Sequence, residues 1–219
     1  MKLQAFFLDA YAPLLFILFP SFSMDREPLI TTFLEMNGRI NLSAIRDAEG
    51  VRIKHIMDSL ELTKVFPLQD GCKVCDIGTG WGFPLLPLAM TYPKVHFVGI
   101  DSTRKKIDAI NSMIKDLHIE NAQAIWTRSE DYQEQFDVIT ARAVGYIDKI
   151  FTRSYQLLKK GGHYVLYKQV SQEEKADLLQ LCKQWNPAKD GAGLRLVDEH
   201  VYRLFPEDIE RVIYIIRKN

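Results

Sequence analysis

The sequence predicts an α/β fold: a mostly parallel seven-stranded sheet with helices on both faces and a small helical extension at the N-terminus. Three observations predict it. From residue 72 onward, apolar runs of strand length alternate with runs of helix length, as in a parallel sheet whose crossovers cover both faces. The first run ends in Asp76-Ile77-Gly78-Thr79-Gly80-Trp81-Gly82, and the second, Val95–Ile100, is closed by Asp101. A strand, a glycine turn, a helix and a second strand ending in a carboxylate describe a nucleotide-binding βαβ unit. The 219 residues, 47% of them hydrophobic, suffice for one full core and a small appended subdomain.

Taken in order, the chain opens with an apolar stretch, Tyr11–Phe22, interrupted by Pro13 and Pro20 and far shorter than the ~20 residues that span a bilayer. Lys2 before it and Ser21-Phe22-Ser23 after it have the outline of a signal peptide, but Asp9 and the single basic residue argue against one. The segment is expected to pack on the protein or lie at an interface; alternatively, translation begins at Met24. Residues 27–37 read as a helix with Pro28 in its first turn. A loop follows over Asn37–Asp47. A second helix, Gly50–Leu62, carries Val51, Ile53, Ile56, Met57 and Leu60 at roughly helical spacing. Strands are expected at 72–77, 95–101, 122–127, 136–140 and 163–168, with helices at 84–91, 104–117 and 147–159 between them. Lys159-Lys160-Gly161-Gly162 reads as a helix stop, cations against the negative dipole end and then glycine. A helix at 172–185, a loop at Asn186–Gly193 and strands at 195–204 and 209–217 complete the chain. The domains drawn on this basis are residues 1–66, a helical extension whose first 23 residues are atypical, and 67–219, the α/β domain.

The charge balance, 28 basic against 28 acidic residues, leaves no global field to draw the chain to nucleic acid, so any RNA contact must come from local patches. Three cysteines without regular spacing fit a reducing compartment. Cys72 and Cys75 form a C-x-x-C, but an offset of three in a strand sends the side chains to opposite faces, and no second ligand pair follows, so no metal is expected.

The glycine spacing bears on which nucleotide is bound. A dinucleotide site wants G-x-G-x-x-G pressed on a pyrophosphate; here the run is G-x-G-x-G, with Asp76 two residues ahead of it. A carboxylate there repels pyrophosphate but pairs with an ammonium group. S-adenosylmethionine carries an ammonium, a sulfonium and a ribose but no phosphate, and Asp101 suits its ribose diol. The motif reads as a Rossmann-like methyltransferase site, with a degenerate dinucleotide site as the alternative. Ligands of open α/β sheets sit beyond the carboxyl ends of the strands. The positions to examine are therefore Asp76, Gly78, Gly80 and Phe83 after the first strand, Asp101 after the second and Ser129 and Glu130 after the third. Arg142 follows the fourth strand and Lys168 the fifth. After the fourth strand there is no Asn/Asp-Pro-Pro-aromatic run of the kind that binds an exocyclic amine, and the late Cys182 falls in a helix rather than after a strand, where a cytosine-attacking thiolate would be needed. Arg142 suits a phosphate or the N7/O6 edge of guanine, and N7 needs no deprotonation before attacking a sulfonium. The competing role for Arg142 is a salt bridge at the sheet edge, with Asp76 or Asp101. Arg39, Arg46, Arg52, Lys54 and His55 form a possible RNA-facing group in the extension, offset by Asp47, Glu49 and Asp58.

Asn41-Leu42-Ser43-Ala44-Ile45-Arg46-Asp47, His55-Ile56-Met57-Asp58-Ser59-Leu60, Asp76 to Pro84, Asp101-Ser102 and Ala141-Arg142-Ala143 resemble, in that order, the signature blocks of the GidB/RsmG family. The resemblance runs from about residue 36 to the C-terminus and leaves the first 23 residues outside it. It implies a cytoplasmic, S-adenosyl-L-methionine-dependent class I methyltransferase acting on N7 of a guanine in the decoding-region loop of 16S rRNA. The expected substrate is rRNA, the small ribosomal subunit or an assembly intermediate, with no membrane partner and a monomeric enzyme. It further implies cofactor contacts at Gly78, Phe83, Ser129, Glu130 and Arg142, and functional cations at Arg142, Lys168 and Arg211. The chain departs from the family pattern at Met36, at Thr103-Arg104-Lys105 and at Gln169, where tryptophan, a glycine-containing block and glycine are usual. Another RNA or small-molecule methyltransferase, or a non-catalytic cofactor-binding RNA module, are the alternatives.

Overall fold

The computed structural model describes residues 26–41, 43–185 and 193–219. The expectations for the apolar leader and for most of the loop at Asn186–Gly193 lie outside them. Seven strands form one sheet in the order β3-β2-β1-β4-β5-β7-β6: β1 Lys73–Ile77, β2 His96–Asp101, β3 Ala122–Trp126, β4 Phe136–Arg142, β5 Leu158–Gln169, β6 Leu194–Leu204 and β7 Ile209–Lys218. All neighbouring pairs from β3 to β5 are parallel, and β7 alone is reversed, pairing antiparallel with both β5 and β6. The strand order reverses direction at β1 and β4, so the crevice that binds ligands in such sheets opens at their carboxyl ends.

The helical extension is α1 (Glu27–Ile40), α2 (Ala48–Val51), a π-helical segment (Arg52–Met57), α3 (Asp58–Leu60) and α4 (Leu62–Val65). Between the strands run α5 (Leu85–Thr91), α6 (Arg104–Asp116) and α7 (Ile147–Ser154), and α8 (Gln172–Gln184) precedes β6. Leu29, Ile30 and Phe33 of α1 and Val51, Ile53 and Ile56 share one buried cluster with Phe83, Leu85, Phe97 and Ile107, so the extension is packed onto a face of the sheet. A second cluster on the other face gathers Ile139, Ile150, Phe151, Tyr164 and Ile216.

Three boundaries differ from expectation. Helix α1 runs past Asn37 to Ile40 because the buried Asn37 amide does not break it; the side chain instead holds the following loop, donating to the Ser43 and Ile45 carbonyls and accepting from the Ser43 amide. The left-handed cap is Asn41, at φ 53°. The second expected helix is one helical path from Ala48 to Leu60, widened to a π-helix over Arg52–Met57. Lys159-Lys160-Gly161-Gly162 is not a helix stop: α7 ends at Ser154, a 3₁₀ turn covers Tyr155–Leu157, and β5 begins at Leu158. The lysines and glycines form a bulge, since the register jumps from Phe136↔Leu158 to Val138↔His163. Gly161 takes a positive φ there, and a Cβ on Gly162 would lie 2.8 Å from the Asp137 carbonyl oxygen.

Candidate active site

A cavity of about 390 Å³ opens at the carboxyl ends of β1, β2, β3 and β4, and Gly78, Asp101, Ser129, Glu130, Val144 and Tyr146 are among its lining residues. Gly78 of the glycine loop after β1 lines it, and Gly78, Gly80 and Gly82 all have positive φ. Gly78 is held to glycine twice over, because at φ +60° a Cβ would also stand 2.8 Å from Val144 Cγ2. Asp101 clasps this loop: its Oδ2 accepts from the Gly80 amide at 3.1 Å and its Oδ1 from the Thr103 amide at 2.8 Å. Lys106 Nζ stands 3.8 Å away and also lies over the Trp81 ring. Of the residues expected to hold cofactor, Gly78, Asp101, Ser129 and Glu130 therefore line one cavity, and Gly80 supports it from the backbone.

Asp76 lies beneath the loop, fully buried. Thr140 Oγ1 donates to its Oδ1 at 2.8 Å. Burial pushes its carboxyl up to about 6, against the pull of the Thr79 and Thr140 hydroxyls and the Arg142 charge. Asp76 Oδ2 and the Thr79 hydroxyl are both buried without a hydrogen-bond partner of good geometry. A buried carboxylate oxygen without a donor fits a ligand that brings one.

The remaining expected residues sit elsewhere. Phe83 is buried outside the cavity lining, stacked on His55 with ring centroids 4.7 Å apart and edge-on to Phe33 at 5.2 Å. Arg142, at the end of β4, does not pair with Asp76 or Asp101. Its Nη1 donates to Asp58 Oδ2 at 2.8 Å and to the Lys54 carbonyl at 2.9 Å, and its Nη2 to His55 Nδ1 at 3.1 Å. Arg211, which begins the β7 pairing opposite Gln169, reaches the same Asp58 Oδ2 at 3.4 Å, and Tyr202 donates to Oδ1 at 2.6 Å. Asp58 is thus the hub of a buried network at the carboxyl ends of β4 and β6 and the amino end of β7. Lys168, at the same edge, is tied to Glu174 at 2.6 Å and to the Gly145 carbonyl at 2.8 Å. His55 is part of the buried joint rather than of an RNA-facing surface, and burial, aided by Arg142, lowers its pKa to about 4. It is neutral at pH 7, accepting from Arg142 at Nδ1.

Sequence reasoning read Asp58 only as an acid offsetting nearby cations, not as the partner of Arg142, and passed over Tyr202. The available signal was spacing: Asp58 stands three residues after His55 and four after Lys54 on one helical path, facing the fork that Arg142 extends.

A glycine loop closed to side chains, a carboxylate at the end of β2 and a donor-seeking carboxylate beneath them suit a cofactor with a ribose and an ammonium group. With the parallel sheet and its one reversed strand, they make the site of an S-adenosylmethionine-dependent methyltransferase, the class that the family match below shows. Solved structures share the fold: TrmN from Thermus thermophilus (TM-score 0.57, 16% identity, 74% of this chain and 48% of that one) and a SAM-dependent methyltransferase from Aquifex aeolicus (TM-score 0.55, 18% identity, 75% of this chain and 92% of that one). This chain thus matches about half the length of TrmN. The GidB family, rRNA small subunit methyltransferase G, matches residues 26–189. Ribosomal RNA small subunit methyltransferase G of Lysinibacillus sphaericus is 34% identical over 84% of this chain and 78% of its own length. Its counterpart in Lachnoclostridium phytofermentans is 33% identical over 84% and 76%. The chain belongs to the GidB family and is an S-adenosylmethionine-dependent rRNA methyltransferase. Among the described residues, no helix is long and apolar enough to cross a membrane.

Proposed function

We propose that the protein methylates N7 of a guanine in the decoding-region loop of 16S rRNA, at the position numbered 527. One observation carries this reading: where Arg142, Lys168 and Arg211 gather, the Asp58, His55 and Glu174 side chains beside them are each already engaged. Asp58 is held by two arginines and a tyrosine, and His55 binds Arg142 through its lone pair. All three cysteine thiols are pushed up by burial, that of Cys72 to about 11. Such a site suits a nucleophile that arrives with its lone pair ready, as guanine N7 does.

In this reading Asp101 holds the ribose hydroxyls, Asp76 the ammonium group, and Ser129 with Glu130 the adenine end; the glycine loop leaves room for close backbone approach. Bound there, the cofactor supplies a methyl group on a sulfonium. Arg142, Lys168 and Arg211 orient the base and the RNA backbone. Residues 67–219 carry the reaction, and residues 1–66 contribute Asp58 and His55 to its architecture. The protein works in the cytoplasm as a monomer, on rRNA within the small subunit or an assembly intermediate.

The test is incubation with tritiated S-adenosylmethionine and small subunits from a strain lacking this modification, followed by borohydride and aniline. N7 methylation puts a fixed positive charge on the base and makes the chain cleavable at one guanine. Label in RNA that resists cleavage would overturn the N7 assignment, and naked 16S rRNA compared with assembled particles identifies the substrate form.

A further inference from the structure

Two exposed aromatic side chains flank the cofactor cavity, each beside a cation. Trp126, at the end of β3, is 55% exposed; its Nε1 donates to the Ser102 carbonyl at 2.9 Å, and the Arg104 guanidinium lies 5.3 Å from its ring centroid. Tyr146, in the turn after β4, is 73% exposed, with Lys149 Nζ 5.4 Å from its ring centroid. Tyr146 and Lys149 line the cavity, while Trp126 borders an adjoining hollow that shares Ser102, Thr127 and Arg128 with it. In the order β3-β2-β1-β4 the ends of β3 and β4 are three strand spacings apart, roughly 14 Å. The two aromatic residues thus stand at the two outer strands of the row whose ends the cavity spans.

Aromatic rings this exposed do not stabilise the fold by burial, and both are oriented by the backbone or a neighbouring cation. Interleaved aromatic and basic side chains are what unpaired RNA requires, since every base offers a π-face to a ring and every phosphate a charge to an arginine or lysine. Acids share the site, Asp131 in the hollow beside Trp126 and Asp101 and Glu130 in the cavity, but Arg128 and Arg153 stand with them, and the Arg104–Asp108 pair at 3.9 Å is well exposed and of little strength in water. We propose that Trp126 and Tyr146 are stacking posts for unpaired bases of the substrate RNA on either side of the cofactor cavity, with Arg104 and Lys149 meeting the adjacent phosphates. The proposal rests on the rRNA methyltransferase reading and names how that substrate is held open while one base enters the site.

Trp126→Ala, Tyr146→Ala and the double variant test it, with filter binding to a 16S rRNA transcript, methyl transfer to small subunits, and calorimetry with S-adenosylhomocysteine. Each alanine variant should weaken RNA binding and raise KM for the particle roughly tenfold, and in Trp126→Ala, which lies outside the cavity lining, cofactor affinity should stay within about twofold of wild type. Trp126→Phe and Tyr146→Phe keep a stacking face and should restore most of the binding. Arg104→Gln and Lys149→Gln should each flatten the salt dependence of RNA binding by about one phosphate contact. Alanine variants that bind RNA as wild type does would overturn the stacking role, as would a loss confined to cofactor affinity. If the wild-type protein methylates no rRNA, the functional reading falls and takes this one with it. If it methylates rRNA and the alanine variants are unaffected, only the stacking posts are lost.

Discussion

Arg142 and Asp58 form a buried ion pair, Nη1 to Oδ2 at 2.8 Å, that ties the end of β4 to the helical extension. Their side chains are 10% and 2% exposed. The pair joins the helical extension to the sheet at the edge where the reaction is proposed to occur, so on that proposal fold and turnover share one contact. Removing one partner strands the other's charge in a low-dielectric interior.

Arg142→Ala should therefore destabilise the protein by about 3 kcal/mol, the scale of a broken buried pair, and lower kcat/KM roughly 10²-fold in the fraction that stays folded. Arg142→Lys should rescue little, because a single ammonium does not span Asp58, the Lys54 carbonyl and His55 together. In urea unfolding, Arg142→Ala combined with Asp58→Ala should cost less than the sum of the two single changes. A stable and fully active alanine variant would remove Arg142 from both roles.

Asp101→Ala should weaken S-adenosylmethionine binding by about 1.5–3 kcal/mol, the range for hydrogen bonds to a charged group. The carboxylate also anchors the Gly80 and Thr103 amides, so part of the loss reflects a loosened glycine loop. Asp101→Asn keeps an acceptor for one amide and should fall between wild type and alanine. Unchanged calorimetric affinity in the alanine variant would take Asp101 out of the cofactor site.

The glycine loop and its two acids were legible because their demands are local: a strand ends, the backbone needs positive φ, and a carboxylate closes the next strand. The Asp58 hub was not, because it brings together residues 84, 144 and 153 positions apart, and no local pattern encodes such a meeting. Lys159-Lys160-Gly161-Gly162 misled for a related reason. Cations followed by glycine mark a helix end and also permit a strand bulge, and only pairing with β4 decides between them. Phe83 sits beside the glycine loop in sequence, but its apolar ring is drawn into the joint with Phe33 and His55.

His55 and Asp76 should act on acid stability in opposite directions. His55 titrates near 4 in the fold and near 6.5 unfolded, so the unfolded chain binds the extra proton between those values, and this contribution to stability is lost as pH falls from 6.5 to 4. Asp76 titrates near 6 in the fold against 3.8 unfolded, so the folded chain binds the extra proton and stability grows as pH falls from 6 to 3.8. Each effect is worth about 3 kcal/mol at most, so the two largely cancel. Asp76→Asn should expose the histidine's effect as a steeper loss of stability on acidification, and His55→Phe should flatten that loss. Urea midpoints at about pH 7 and pH 4.5 check both. Parallel pH slopes in all three proteins would contradict the assignment.

Cofactor affinity should also depend on pH, through Asp76. Its Oδ2 is buried without a donor, and burial is the largest reason its carboxyl titrates near 6 in the free protein. An ammonium group placed against it stabilises the ionised form and lowers that pKa in the complex. Above about pH 7 the carboxylate is already ionised, so affinity should be constant there. Below pH 6 the proton must leave before the ammonium can pair, and affinity should fall by up to tenfold per pH unit. S-adenosylhomocysteine carries the same ammonium and should show the same profile by calorimetry. Adenosine lacks it and should bind weakly but with no slope, which separates titration of Asp76 from a general acid effect on the cavity. Asp76→Asn should bind S-adenosylhomocysteine less tightly at neutral pH and lose most of the pH dependence. A flat S-adenosylhomocysteine profile between about pH 5 and 7.5, or an adenosine profile of equal slope, would show that Asp76 does not meet the ammonium group.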